Sequence, residues 1–193
     1  MKPIQTGLFF GSFNPVHAGH QMIASYMANF TSLDEVWLVV SPQNPLKSKN
    51  GMEHVYDRLE MARLAFQHAD RIRVSSIELE LPRPSYTIHT LAYLEEKYPG
   101  RVWHLIMGAD NLASLKKWKN YEVILKNYPI FVYPRPGAEV SEWENHPSIT
   151  FTETPLMEIS STFIRSAIKA GKNVQYFVAE EVLDFIERKN MYR

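Results

Sequence analysis

Two short stretches of this chain carry groups that could hold phosphate. The first is Gly11-Ser12-Phe13-Asn14-Pro15-Val16-His17-Ala18-Gly19-His20, which follows the apolar run Thr6 to Phe10. The second is Ile159-Ser160-Ser161-Thr162-Phe163-Ile164-Arg165, a hydroxyl cluster and an arginine entering a predicted helix. A bound polyphosphate calls for main-chain N–H groups, hydroxyl donors and positive charge at a helix N-terminus, and these stretches supply all three. Gly11 and Gly19 allow close main-chain approach to phosphate. His17 and His20 are three residues apart, on one side of a turn entering a helix, and read as phosphate contacts rather than proton shuttles. Ser160, Ser161 and Thr162 are each also candidate helix caps. Arg165 lies about one turn into that helix and points back toward its start, adding a fork of donors. A lone histidine is usually a satisfied structural residue, so the pairing of the two stretches carries the reading.

The elements that must position these groups alternate. Strands are predicted over 6–10, 35–40, 71–77, 102–107, 130–133 and 149–152. Helices are predicted over 20–30, 54–68, 86–98, 112–125, 161–170 and 179–190, with Gly171 as a C-terminal stop. Residues 43–52, with Asn44-Pro45, Lys47, Lys49 and Asn50-Gly51, read as an irregular loop. Such alternation implies right-handed crossovers and a largely parallel sheet, with ligands bound beyond the C-terminal strand ends. The glycine-histidine turn, Ser41-Pro42, Gly108-Ala109-Asp110 and Pro134-Arg135 all follow predicted strands and should share that edge.

Bulk properties exclude several classes. The 193 residues suit one domain spanning 1–193, and no repeat or linker divides it. Formal net charge is zero, which argues against a nucleic acid polymer as the main partner. There is no cysteine, excluding disulfides and thiolate chemistry and fitting a cytoplasmic protein. Met1-Lys2-Pro3 runs straight into a strand, so no signal peptide is expected. No apolar run approaches the roughly 18 residues of a membrane span, so no membrane partner is expected either. His54, His68, His89, His104 and His146 show no ligand spacing, and no protein-held metal site is read.

The His-x-Gly-His of residues 17–20, with the Ser-Ser-Thr and Arg165 of the second stretch, resembles the signature of the nucleotidyltransferases related to class I aminoacyl-tRNA synthetases. Further residues resemble the bacterial nicotinate-nucleotide adenylyltransferases: Ser41-Pro42 through Pro45 and Lys47, Pro84-Ser85-Tyr86-Thr87, Gly108-Ala109-Asp110, Leu115 with Trp118, and Arg135-Pro136-Gly137. The match runs from residue 4 to about residue 170. The chain departs from the common pattern at Asn14, where aspartate is frequent, at Leu46, where histidine is frequent, and at His89, where aspartate is frequent.

The resemblance implies a Rossmann-like doubly wound α/β sheet. It implies transfer of an adenylyl group from ATP to nicotinate mononucleotide, with Mg²⁺ carried by ATP and held mostly by phosphate oxygens and water. His17, His20 and Arg165 would be catalytic. Gly11, Ser12, Phe13, Gly19, Lys47, Gly108, Asp110, Ser160, Ser161 and Thr162 would bind ATP, with Asp110 accepting from ribose hydroxyls. Its alternative role is helix capping toward Leu112. In the acceptor site Trp118 would stack on the pyridine and main-chain N–H groups near Tyr86, Thr87 and Trp118 would receive the carboxylate, with Arg135 nearby. Other readings stay open: another phosphorylated acceptor such as nicotinamide mononucleotide or phosphopantetheine, a cytidylyltransferase, or an ATP-binding regulatory module without turnover. A homo-oligomer is equally open.

Overall fold

The computed structural model describes residues 2–42 and 52–193. Among these, six strands form one parallel sheet: β1 (Ile4–Gly11), β2 (Glu35–Val40), β3 (Ile72–Ser75), β4 (Arg101–Gly108), β5 (Ile130–Tyr133) and β6 (Ile149–Phe151). Their order is β3-β2-β1-β4-β5-β6. That is the doubly wound pattern, with the reversal beside β1 opening a crevice at the C-terminal strand ends. Registers such as Gly11↔Val40 and Phe9↔Ile106 bring the end of β1 to the centre of that edge.

The strand residues alternate between two cores. Phe9, Leu38, Ile106 and Phe131 face one side, where α1 (Ala18–Phe30), α2 (Val55–Phe66), α6 (Ser161–Lys169) and α7 (Glu180–Arg188) pack. Leu8, Trp37, Val39, Leu105, Met107 and Val132 face the other, against α3 (Thr87–Lys97), α4 (Ala109–Ala113) and α5 (Tyr121–Asn127). With both faces covered, central strands run largely apolar, and all six residues of β2, Glu35 included, are buried. Each fully buried Leu, Ile or Phe contributes roughly 1.5–3 kcal/mol by leaving water, which makes the sheet a stiff platform for the loops at its edge.

Two expected elements differ. The helix over 112–125 is broken into α4, a 3₁₀ turn at Leu115–Lys117, and α5. Trp118 has extended backbone at φ −80° and ψ 143°, and Asn120 sits in the left-handed region at φ 54°, which a short polar side chain tolerates. Leu112, Leu115, Ile124 and Leu125 are nonetheless all buried. The pieces keep the apolar spacing that suggested one helix. The strand expected over 71–77 ends at Ser75, where its pairing with Val39 is the last, and a 3₁₀ turn at Ile77–Leu79 follows.

Candidate active site

At the C-terminal end of β1 the chain turns through Phe13, which has a left-handed φ of 47° and is 1% exposed. Its ring folds back over the strand end. A Cβ on Gly11 would lie 2.7 Å from the Phe13 Cζ, so glycine at 11 makes room for the ring that shapes the turn. The turn delivers His17 to the N-cap of α1. His17 and His20 stack, ring centroids 3.6 Å apart. A Cβ on Gly19 would lie 3.1 Å from His17 Nδ1, so this glycine also serves the histidine pair.

The protonation of the pair follows from its surroundings. The main-chain N–H of His17 donates to His20 Nδ1 at 3.2 Å. That assignment puts the proton of a neutral His20 ring on Nε2. His17 is 3% exposed, and its Nδ1 has no hydrogen-bond partner among the described residues. Burial, followed by the charge of Arg135, lowers its pKa to about 4. Near neutral pH the ring is therefore an uncharged imidazole holding an unmatched polar atom.

The second stretch closes over the first. The Ser160 hydroxyl caps α6 by accepting from the Phe163 N–H at 3.1 Å. The Ser161 hydroxyl donates to the carbonyl of Pro15 at 2.9 Å. Arg165 donates from Nη1 to the carbonyl of Asn14 at 2.7 Å and from Nη2 to the Thr162 hydroxyl at 3.3 Å. These bonds stitch the two stretches together, and the first N–H groups of α6 lack partners within the helix. A cleft of about 350 Å³ results, walled by the histidine pair, Ser160 to Thr162, Arg165 and Arg135.

A second cleft, of about 370 Å³, adjoins it; Tyr86, Thr87, Trp118, Lys117 and Lys119 wall its far side. Gly11, Ser12, Asp110, Asn111 and Tyr133 line both. Lys119 Nζ lies 4.7 Å over the Tyr86 ring. The Trp118 indole is half-buried, and its Nε1 has no hydrogen-bond partner among the described residues. Glu78, at 2% exposure, accepts from the Thr90 hydroxyl at 2.9 Å. Burial raises its carboxyl, and the Ser41, Thr90 and Ser85 hydroxyls draw it partly back.

Several expectations are revised by these positions. The main-chain N–H of Trp118 donates to Leu115 at 2.9 Å within the 3₁₀ turn, so it is already engaged. The donors left at this cleft by geometry are the first N–H groups of α3, beginning at Thr87. The N-cap of α4 is Gly108, not Asp110. Asp110 is exposed on the shared wall, which removes its capping role. Gly108 lines neither cleft; a Cβ there would crowd Asp110, Tyr133 and Arg135 from behind. Lys47 lies outside the described residues.

Other residues at the site escaped the sequence reading. Arg58 is 1% exposed and, among the described residues, donates only to main-chain carbonyls: Ser12, Ser41 at 2.9 Å, Pro42 at 3.4 Å and Glu53 at 3.1 Å. Burial lowers its pKa. One guanidinium thus ties the turns after β1 and β2 from behind. Glu78, Asn111 and Tyr192 join it, the last through its hydroxyl on Asn14. A single buried Arg among helix positions carries no periodic signal, although its place one residue before Leu59, beside the apolar stripe, was a hint.

Comparison with known proteins adds relatives to this geometry. Residues 8–167 match the model of the cytidylyltransferase-like family. The probable nicotinate-nucleotide adenylyltransferase of Flavobacterium johnsoniae is 48% identical over 192 residues, covering 98% of this chain and 100% of its own. The protein of that name from Bacteroides fragilis is 45% identical, covering 92% of this chain and 89% of its own. Among solved structures, the Plasmodium falciparum nicotinic acid mononucleotide adenylyltransferase complexed with NaAD has a TM-score of 0.82 at 17% identity, covering 98% of this chain and 97% of that one. At that identity the likeness shows the fold.

Proposed function

The chain belongs to the cytidylyltransferase-like family, among its nicotinate-nucleotide adenylyltransferases, and from that membership we propose how its joined clefts transfer the adenylyl group of ATP to nicotinate mononucleotide. The observation that carries the reading is the common wall: a cleft rich in phosphate donors opens over Gly11, Ser12, Asp110 and Asn111 into one with an aromatic rim. Two nucleotides laid end to end would meet there, phosphate to phosphate.

The acceptor's phosphate oxygen attacks the α-phosphorus of ATP. The bond from that phosphorus to the bridging β-oxygen breaks, and pyrophosphate leaves with the electron pair. The products are deamido-NAD and pyrophosphate. The attacking oxygen is already anionic, so the protein's task is alignment of two repelling anions and stabilisation of the displaced charge. His17, uncharged, and His20 enter as ring N–H donors, and Arg165 and the N–H groups opening α6 face the phosphates that leave. Asp110, on the shared wall, is placed to accept from a ribose. Trp118 offers its face to the pyridine, and the start of α3 offers N–H donors to the ring carboxylate. Arg135, which lines the phosphate cleft and not the aromatic one, adds its charge to the phosphates. Lys47 is proposed as a further phosphate contact on the strength of the resemblance.

Magnesium belongs to this scheme as part of the MgATP substrate. Phosphate oxygens and water would be its main ligands, as its chemistry prefers. No helix among the described residues is long and apolar enough to cross a membrane, and we place the work of this NAD-synthesis step in the cytoplasm.

The test is pyrophosphate release with MgATP, offering nicotinate mononucleotide, nicotinamide mononucleotide and phosphopantetheine in parallel. Fast turnover with the nicotinate substrate is expected. Turnover with another acceptor alone would keep the phosphate cleft and overturn the reading of the aromatic one. ATP binding without any turnover would point to the regulatory module.

A further inference from the structure

We propose that Tyr192 is a positioning residue for the phosphate cleft, acting through Asn14. After α7 the chain turns through Asn190 and Tyr192, both in the left-handed region at φ 54° and 65°. A tyrosine rarely adopts that conformation unless its surroundings fix it. Here they do. Met191 is 6% exposed in the core, Lys189 pairs with Asp57 of α2 at 3.3 Å, and Glu181 of α7 accepts from Gln67 at 2.8 Å.

The hydroxyl of Tyr192 then donates to Asn14 Oδ1 at 2.9 Å, bridging 178 positions of sequence. The same oxygen accepts more weakly from the Glu53 N–H at 3.3 Å. Asn14 itself is 5% exposed and lines the phosphate cleft, and its carbonyl receives Arg165 at 2.7 Å. The neighbouring carbonyl, on Pro15, receives Ser161. Asn14 is thus the junction of the turn that delivers His17, the arginine of α6 and the segment after α7. Burial raises the Tyr192 pKa, so the phenol remains a donor across the working pH range. Without it, the side chain of Asn14 loses its shorter bond at Oδ1 and keeps the longer one to Glu53 there, and the site of Arg165's firmest bond loosens.

This inference rests on the adenylyl-transfer reading for its kinetic part and has a second readout that does not. Tyr192→Phe should lower kcat about five- to tenfold, the size of one lost hydrogen bond expressed in the transition state, while KM for both substrates stays within about twofold. In an Asn14→Ala background the same change should cost less than about twofold, because the link is already cut. Amide hydrogen exchange over residues 12–17 should quicken in Tyr192→Phe while that of β4 and β5 stays unchanged, whether or not turnover is measured. Unaltered kinetics together with unaltered exchange over 12–17 would overturn the proposal. So would equal losses in the two backgrounds, or a kcat loss explained by unfolding in circular dichroism at the assay temperature. If the unaltered protein releases no pyrophosphate, the exchange experiment alone decides.

Discussion

The two edges of the sheet treat their charges in opposite ways. At the N-terminal edge Glu35, nearly buried at the start of β2, is matched on every side. Arg101 pairs with it, Arg73 approaches at 3.2 Å, the Trp37 indole donates at 2.8 Å, and Thr6 lies in the same network. At the C-terminal edge Arg58, Arg135 and Arg165 enter no ion pair among the described residues, and Arg58 and Arg165 rest mainly on main-chain carbonyls. Cations solvated by carbonyls keep most of their field. The first edge is closed upon itself and holds the sheet together. The second is left short of negative charge, and an entering polyphosphate would supply it.

The contrast can be broken by mutation. The largest effect is expected at the open edge: Arg165→Ala should lower kcat/KM about 10²- to 10³-fold, as for loss of one charged donor at a developing anion. Its melting temperature should stay within a few degrees of the parent. At the closed edge, Glu35→Ala should cost about 2–3 kcal/mol in urea unfolding, because it strands Arg101 without its partner. The folded fraction should turn over normally. If Glu35→Ala abolished turnover while staying folded, or Arg165→Ala melted the fold, the division between the edges would fail.

Acid sharpens the same division. The pKa of His17 is lowered to about 4 in the folded chain, below the ordinary 6.5. Between those values the unfolded chain binds the proton and the folded chain does not. His17 therefore favours unfolding increasingly as pH falls from 6.5 toward 4, by about 2–3 kcal/mol at pH 4.5. Urea unfolding of His17→Gln should show a shallower loss between pH 7 and 4.5. His104, also lowered by burial, contributes the same sign in both proteins and cancels in the difference. A parallel pH profile would place the neutral histidine elsewhere. The smallest effect belongs to the aromatic rim: Trp118→Ala should raise KM for the acceptor about tenfold, a stacking contribution, with kcat little changed. An unchanged KM would move the pyridine to another wall.

What the sequence made legible was contiguous. Gly11 to His20 and Ser160 to Arg165 are runs in which residue type and helix start coincide, and the strand pattern put the first of them at the edge where ligands bind. What it hid was assembled from afar. The side chain of Arg58 reaches carbonyls after two strands, and apart from its place beside the apolar stripe nothing local separates it from a solvated arginine of α2. Tyr192 meets Asn14 only once α7 has packed on α2. The break at Trp118 was invisible for another reason: Leu112, Leu115, Ile124 and Leu125 satisfy helical spacing whether or not the backbone between them is helical. The glycines were found but explained differently. Phosphate access was the expected reason at Gly11 and Gly19, and the folded chain shows the Phe13 and His17 rings occupying the space a Cβ would need.

The distribution of indoles has an optical consequence. The chain holds four tryptophans. Trp37, Trp103 and Trp143 are 7%, 2% and 5% exposed in the core, whereas Trp118 is the one of the four that lines either of the two clefts. Excitation of the protein therefore yields a steady background from three emitters and a responsive signal from one. A ring stacking on Trp118 would quench or shift that signal without any label, so occupancy of the aromatic cleft can be followed by light alone, in the absence of ATP and before any bond is made.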